Sequence, residues 1–284
     1  MKNFKCVLGA ECYKAFHNRF FWISLLTGCL FGLLSGLYSI EGYWEVRESL
    51  MMLGGNPMTQ AFGLYNSWIG GESSSLGFVF FFTLFPVLAA LPYGWSYQEE
   101  VKSGYLKIAE VRAGRLRYLG AKYIAAFLAG GGCVVLPLIG NFILTACFVP
   151  AVKPSILYEI YYPMHYGAIC SELFFEHPFL FVVMYWCIDF IFGGLFAAMA
   201  MATGFFSKKR IVALLGPFLF VLMLQYARTF LFGIVYREIS PLYFLHATSV
   251  ENIADGRIIF AEALLIFAVT CGIVFGGGKK RENI

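Results

Sequence analysis

The residues with the greatest capacity for chemistry are two adjacent carboxylates, Glu99 and Glu100, and four histidines. Paired carboxylates can supply an acid and a base, and histidines can carry protons or ligate a metal. The histidines lie in separate segments without an HExxH motif, and neither GxSxG nor GxxxxGK[ST] occurs. The sequence therefore predicts no catalytic residue, no metal site and no cofactor bound by this chain. The histidines are His17, His165, His177 and His246.

The glutamate pair resembles the start of the active site of intramembrane CAAX-type proteases. Those enzymes also need an arginine four residues after the second glutamate, and histidines on later helices that face it. Here that position is Gly104, and no later apolar segment carries a histidine in its middle. The sequence therefore argues against this class of enzyme.

Three charged residues, Asp189, Arg228 and Glu262, lie far inside apolar runs. A charge at the bilayer centre costs about 2.5–3.5 kcal/mol on insertion scales, so each should have a partner or water. Counted from the nearest basic cluster, all three lie about 25–29 Å above the inner face, at 1.5 Å per residue. We expect a polar layer in which Arg228 pairs with Asp189, Glu262 or both, with Gln225 one turn away. Two roles are open, an ion pair that holds the helices together and a substrate-contacting or gating site.

The composition defines the surroundings in which these residues act. Of the 284 residues, 60% are hydrophobic, 19% are aromatic and only 13% are charged, with a net charge of +4. These values exclude an ordinary soluble enzyme, a disordered regulator and a nucleic-acid binder. The excess apolar surface needs an apolar solvent, which predicts an all-α integral membrane protein. Phenylalanines near span ends, such as Phe78, Phe80, Phe81, Phe82 and Phe85, are expected to face lipid or its interface.

Six apolar runs are long enough to cross a bilayer, which takes about 20 residues per helix. We interpret residues 1–284 as a single transmembrane domain. The third run carries Gly130 and Pro137, which predict a kink or a break there. The predicted spans lie near 20–40, 76–96, 120–149, 179–206, 211–235 and 257–277.

Most of the 21 lysines and arginines lie in the amino terminus, the second-to-third loop, the fourth-to-fifth turn and the carboxyl terminus. The positive-inside rule then predicts cytoplasmic termini, in a multi-pass protein of the plasma (inner) membrane. Residues 1–19 show apolar side chains at helical spacing with lysines between them, which predicts an amphipathic interfacial helix. No cleavable signal peptide is visible. Residues 236–256 suit a short re-entrant or interfacial hairpin.

The segment from Tyr97 to Tyr123 resembles the cytoplasmic segment of ABC-2-type transporter permeases. In that family an acidic pair is followed by a glycine, then by an arginine-rich helix start, and a lysine opens the third span. Tyr105 stands where the family often has threonine, and the usual proline before the arginine is missing. The matching residues are Glu99, Glu100, Gly104, Arg112, Arg115, Arg117 and Lys122.

The resemblance implies a membrane permease subunit of an ATP-driven exporter, working with a separate cytoplasmic ATPase that binds ATP and Mg. It also implies a second copy or a sister permease, and contact with membrane lipids. The ATPase would couple through residues 97–119. The apolar, aromatic composition favours an amphipathic or hydrophobic substrate, such as an antimicrobial peptide, a drug or a lipid, with antibiotic resistance or immunity as one role. The predicted coupling residues are Glu99, Glu100, Gly104, Tyr105, Arg112 and Arg115.

Other interpretations are retained. Gly28, Gly32 and Gly36 form a doubled GxxxG pattern, which serves either contact between permeases or packing within the chain. The loop at 97–117 has the alternative of binding anionic lipid headgroups. An ATP-independent secondary transporter using Asp189 and Glu262, or a membrane scaffold without transport activity, are the alternative functions.

Overall fold

A computed structural model describes residues 4–52, 62–157, 162, 164, 168–207, 209–235, 238–248 and 254–276. Within these residues the fold is built of α-helices, with one π-helical turn at the end and no strands. The helices are α1 Phe4–Phe16, α2 Arg19–Met52, α3 Leu64–Ser67, α4 Leu76–Ala90, α5 Ser96–Lys102, α6 Tyr105–Ala113, α7 Arg115–Ala146, α8 Ser171–Glu176, α9 Pro178–Thr203, α10 Arg210–Val235, α11 Pro241–Phe244 and α12 Gly256–Cys271, with the π-helix at Gly272–Gly276.

Five of the described helices are long and apolar enough to cross a membrane, namely α2, α7, α9, α10 and α12, the last together with its π-helical turn. The chain is thus an all-α, multi-pass membrane protein. The second predicted span differs, because α4 has only 15 residues. At 1.5 Å per residue it is about 22 Å long, short of a ~30 Å hydrocarbon core. The helix ends before Pro92, which lacks a backbone donor, and a turn leads to α5.

The first long helix, α2, is longer than its predicted span. Helix α2 has 34 residues and ends at Met52, twelve residues beyond the predicted boundary. Its length of about 51 Å is greater than the hydrocarbon thickness, so its acidic end continues past the apolar section. Large apolar side chains on one side of α2, including Leu26, Leu30 and Leu37, are exposed for contact with lipid.

The opposite side of α2 carries the three glycines and packs on α7 of the same chain. A Cβ atom at Gly28 would lie 2.8 Å from Pro137, and one at Gly36 would lie 3.1 Å from Leu144. Between them, the Nδ2 atom of Asn141 donates to the carbonyl of Gly32 at 2.7 Å. These glycines therefore serve close approach of two helices within the chain.

Helix α7 lies at the centre and packs against α1, α2, α4 and α9. It runs without interruption past Gly130 and Pro137, so the predicted break is wrong. The helix continues because it is packed tightly against neighbouring helices in this region. A Cβ atom at Gly130 would lie 2.5 Å from the Cβ of Ala197 on α9, and Gly193 on α9 is equally crowded by Val134.

The phenylalanines of α4 correct another expectation. Four of those five side chains are buried inside the bundle, and only Phe80 is substantially exposed. Helix α4 is enclosed by α2, α7, α9 and α10, which leaves little of its surface for lipid. The buried phenylalanines are Phe78, Phe81, Phe82 and Phe85.

Candidate functional site

A buried ion-pair cluster joins α1, α5 and α7 at the end of the molecule where the basic segments meet. Lys122, on the second turn of α7, is completely buried. Its Nζ atom lies 2.7 Å from Glu100 of α5 and 3.3 Å from Glu11 of α1. Removing one partner from a buried ion pair leaves an uncompensated charge, which makes such clusters sensitive to single substitutions.

Two tyrosines complete the inner part of this cluster. The hydroxyl of Tyr93 donates to Oε2 of Glu11 at 2.7 Å, and the hydroxyl of Tyr118 donates to Glu100. The ammonium group of Lys122 also lies 4.7 Å from the ring centre of Tyr93, within range of a cation–π interaction. Each carboxylate therefore accepts from a hydroxyl as well as from a lysine, which stabilises its charged form.

Lys14 closes the cluster on its solvent side. Its Nζ atom lies 2.7 Å from Glu11 and 3.5 Å from Glu100, and it lies over the ring of Tyr105 at 4.7 Å. Burial alone would raise the pKa of Glu11, but the charge of Lys122 and hydrogen bonds from Lys14 and Tyr93 outweigh it and hold this pKa below its usual value. Burial alone would lower the pKa of Lys14, but the hydrogen bond to Glu11 outweighs it and raises this pKa above its usual value. Glu11 and Lys14 are therefore both charged at neutral pH.

Helices α5 and α6 form a short hairpin, and a glycine with positive φ lies at each end of α6. Gly104 has φ +73° and Gly114 has φ +80°, conformations that side-chain-bearing residues rarely adopt. The sequence predicted one coupling segment, and the structure divides it into two helices at Gly104. Leu106 and Ala109 of α6 face inward, in a cluster with Val7 of α1.

The outer side of α6 is apolar. Tyr105, Ile108 and Val111 follow one another at intervals of three residues, and their exposed fractions are 43%, 54% and 88%. Arg112 is exposed beside them and forms no ion pair with any residue that the structure describes. A short helix with an exposed apolar stripe and an unpaired cation is suited to contact with another molecule.

A second ion pair joins the same hairpin to α10. The Nε atom of Arg210, the first residue of α10, donates to Oε2 of Glu99 at 2.6 Å. This hydrogen bond holds the pKa of Glu99 below its usual value. Arg210 also lies over the ring of Trp95 at 4.7 Å. At the carboxyl end of α6, Arg115 lies 3.4 Å from Glu110.

The structure thus brings Glu99, Glu100 and Tyr105 together with basic residues from three other helices. The sequence interpretation named Lys122 as the start of the third span but missed Glu11, Tyr93 and Tyr118. One signal for Glu11 was available. Val7, Glu11 and Ala15 repeat every four residues, so the carboxylate falls on the buried side of α1.

The expected polar layer is arranged differently. Arg228 lies 3.0 Å from Glu238, a residue of the short segment after α10, and 4.4 Å from the ring centre of Tyr243. It does not pair with Asp189, which is buried near the middle of α9 and whose oxygens accept no hydrogen bond from the described residues. Glu238 lies outside the apolar runs, so the spacing of charges within those runs could not indicate it as the partner of Arg228.

The remaining members of the expected layer are Glu262 and Gln225. One oxygen of Glu262 on α12 is buried without a hydrogen-bond partner among the described residues. Gln225 lies half-buried on α10, one turn before Arg228. Of the four histidines, His246 is buried between Phe78 and Phe82, whereas His165 lies outside the described residues. The described residues contain no group of three potential metal ligands.

Comparisons of this chain with protein-family models, with curated proteins and with solved structures find no match. The class that the helices define is an all-α, multi-pass membrane protein. Its function must therefore be argued from the cluster and the hairpin themselves.

Proposed function

We propose that the chain is the membrane permease subunit of an ATP-driven exporter, and that α5 and α6 are the docking site for a separate ATPase. One observation carries the proposal. The hairpin presents an apolar stripe outward while ion pairs join its base to three helices of the bundle. A soluble ATPase can move membrane helices only through a rigid contact. The ion pairs at the base of this hairpin hold it rigidly on the bundle.

Each connection has a defined route into the bundle. Glu100 reaches α7 through Lys122, and Glu99 reaches α10 through Arg210. Helix α1 joins the hairpin because Lys14 contacts both Glu100 and Tyr105. A displacement of the hairpin would therefore act on α1, α7 and α10 together. The resemblance of the 97–123 segment to ABC-2-type permeases supports the same conclusion.

The basic residues support a cytoplasmic position for this site. Lys14, Lys122 and Arg210 belong to three different basic segments, and all contact the Glu99–Glu100 pair. Because positive residues accumulate on the cytoplasmic side, this end of the bundle would face the ATPase. We propose the plasma membrane as the location, a second permease copy or a sister permease as a further partner, and an amphipathic or hydrophobic substrate.

The test is purification of the tagged protein in mild detergent, with quantification of co-purifying proteins by mass spectrometry. The proposal predicts a stoichiometric subunit that contains a P-loop. The V111D variant places a charge on the exposed stripe and should reduce that subunit to background. The matched control is L157D, because Leu157 has the same exposed fraction of 88% as Val111 but follows the far end of α7.

The outcomes separate the alternatives. An ATPase retained equally by V111D and L157D would mean that the stripe contacts lipid headgroups instead. If the wild-type protein purifies without any ATPase, under conditions that preserve a known ABC complex, the exporter proposal is wrong.

The buried carboxylate of Asp189 favours one second candidate, an ATP-independent secondary transporter. An acidic group in the middle of α9 that accepts no hydrogen bond from the described residues is suited to carry a proton or to bind a cation. In proteoliposomes, this candidate requires transport that follows a proton gradient without ATPase and that D189N abolishes. Transport that needs ATP and the partner subunit would reject it.

A further inference from the structure

A cavity of about 300 Å3 lies at the other end of the molecule, far from α6. It is bounded by the acidic end of α2 and by the segment that leads into α4. Because α2 is longer than the hydrocarbon core, this part of the helix projects beyond the membrane interior. The residues that line the cavity include Tyr38, Ser39, Glu41, Tyr43, Glu45 and Glu72.

The lining is negative and aromatic. Among the described residues it includes Glu41, Glu45 and Glu72 but no lysine, arginine or histidine. Glu41 and Glu45 are exposed and one helical turn apart. Glu72 is fixed in place, because it accepts hydrogen bonds from the backbone N–H groups of Ser74 and Ser75 at 2.8 and 3.0 Å.

Arg47, two residues after Glu45, forms no ion pair with these carboxylates in the part of the chain that the structure describes. Arg47 lies over the ring of Trp44 at 4.8 Å, and neither residue lines the cavity. The aromatic walls of the cavity are Tyr38, Tyr43 and Phe62. Carboxylates combined with aromatic faces form an environment that attracts organic cations, through charge and through cation–π interactions.

A buried hydroxyl in the wall gives independent evidence for a ligand. Ser39 is only 9% exposed, and its Oγ atom has no hydrogen-bond partner among the described residues. Leaving a buried polar atom unpaired is costly, so native structures seldom do it without a reason. A donor group placed in the cavity would supply the missing partner.

We propose that this cavity binds an organic cation, an ammonium or guanidinium group carried on an apolar body. The volume is at the lower end of the range for small-molecule sites. The site is independent of the hairpin at the opposite end, and its existence does not rest on the proposed ATPase partner. If the chain is an exporter, the site would interact with cationic amphipathic molecules on the outer side.

The first experiment is a fluorescence titration with ethidium of the full chain in nanodiscs of neutral phosphatidylcholine. Removing two carboxylates in E41Q/E45Q should weaken ethidium binding about tenfold. Each exposed charge then contributes roughly half of that decrease on a logarithmic scale. The control E48Q/E176Q removes the same total charge from exposed positions that do not line the cavity. It should bind ethidium like the wild type.

A second pair of variants tests the cavity without changing charge. Gly42 lines the cavity, and a Cβ atom there would meet no atom within 4 Å, so a side chain can begin at this position and G42F adds an aromatic ring to the cavity wall. Gly140 on α7 has equally open surroundings outside the cavity, and G140F is the control. G42F should abolish saturable ethidium binding, and G140F should retain it.

Equal ethidium affinity in the wild type, E41Q/E45Q and G42F would overturn the proposal. It would also be overturned if the anion 8-anilinonaphthalene-1-sulfonate bound to the same saturable site as tightly as ethidium. All variants should elute at the wild-type volume in size-exclusion chromatography. This control shows that the variants are folded, so that a loss of ethidium binding arises from the change in the cavity.

Discussion

Replacement of Lys122 with methionine tests the importance of the buried cluster most directly. The lysine side chain is fully buried, and the side chains of its partners Glu11 and Glu100 are only 3% and 13% exposed. Methionine retains the length of the aliphatic chain and removes the charge, leaving two carboxylates close together. Breaking a buried ion pair in this way costs about 3–5 kcal/mol. For a chain of this size, that loss corresponds to a decrease in Tm on the order of 10 °C.

The assay is thermal unfolding of the purified protein in one detergent, monitored by tryptophan fluorescence. The control is K107M, because Lys107 is exposed on α6 and lies in the same hairpin. The triple variant E11Q/E100Q/K122M should recover most of the lost stability, since no buried carboxylate is left without a cation and the ammonium group of Lys14, whose side chain is 38% exposed, can be hydrated. If K122M lowers the Tm no more than K107M does, or if the triple variant is as unstable as K122M, the cluster does not hold the helices together.

The same cluster predicts a pH dependence. The folded-state pKa of Glu11 is below its ordinary value, so its contribution to stability is complete above that ordinary value. The contribution is lost as the pH falls through the ordinary pKa toward the folded one. The slope of Tm against acidic pH should therefore be smaller in E11Q than in the wild type.

Three further predictions concern other parts of the bundle. G130A should destabilise the protein by about 1–3 kcal/mol through overpacking against α9, while G140A, in open space, should be neutral or stabilising in the same unfolding assay. R228M should cost about 3–5 kcal/mol by leaving the buried carboxylate of Glu238 unpaired, and R228M/E238Q should recover much of it. Burial lowers the pKa of His246 to about 4, so stability should decline as the pH falls from about 6.5 toward 4, by on the order of 3 kcal/mol, and H246Q should show a smaller decline.

Hydropathy predicted the long helices because a membrane-crossing segment must be apolar along its whole length. The same measure overestimated the length of the second helix, because 76–96 is largely apolar but α4 ends at Ala90. Apolar character cannot distinguish a residue that faces lipid from one that faces other helices. For this reason the phenylalanines of α4 were expected at the lipid surface, and the structure buries four of them.

The candidate site could be predicted only as far as its local sequence. Glu99, Glu100 and Tyr105 stood out because they are close together in a short polar segment. Glu11 shares the ammonium group of Lys122 with Glu100, but it lies 111 residues away from that lysine, and no pattern in either segment specifies the pairing. Contacts between distant helices depend on the packing of the whole bundle, which a single sequence does not contain.

The order of the cluster along the chain has a consequence for biosynthesis. Helix α1 is translated before α7, and Lys122 follows Glu11 by 111 residues. At about 5–20 residues per second, the ribosome needs roughly 6–22 s to produce the partner of that carboxylate. While α2 is inserted, neither Tyr93 nor Lys122 has been made and Lys14 is the one partner of Glu11 already present, so α1 must stay at the aqueous surface. Docking of α1 is therefore a late step of assembly, and a nascent chain that ends before α7 should leave its amino terminus open to proteases and chaperones.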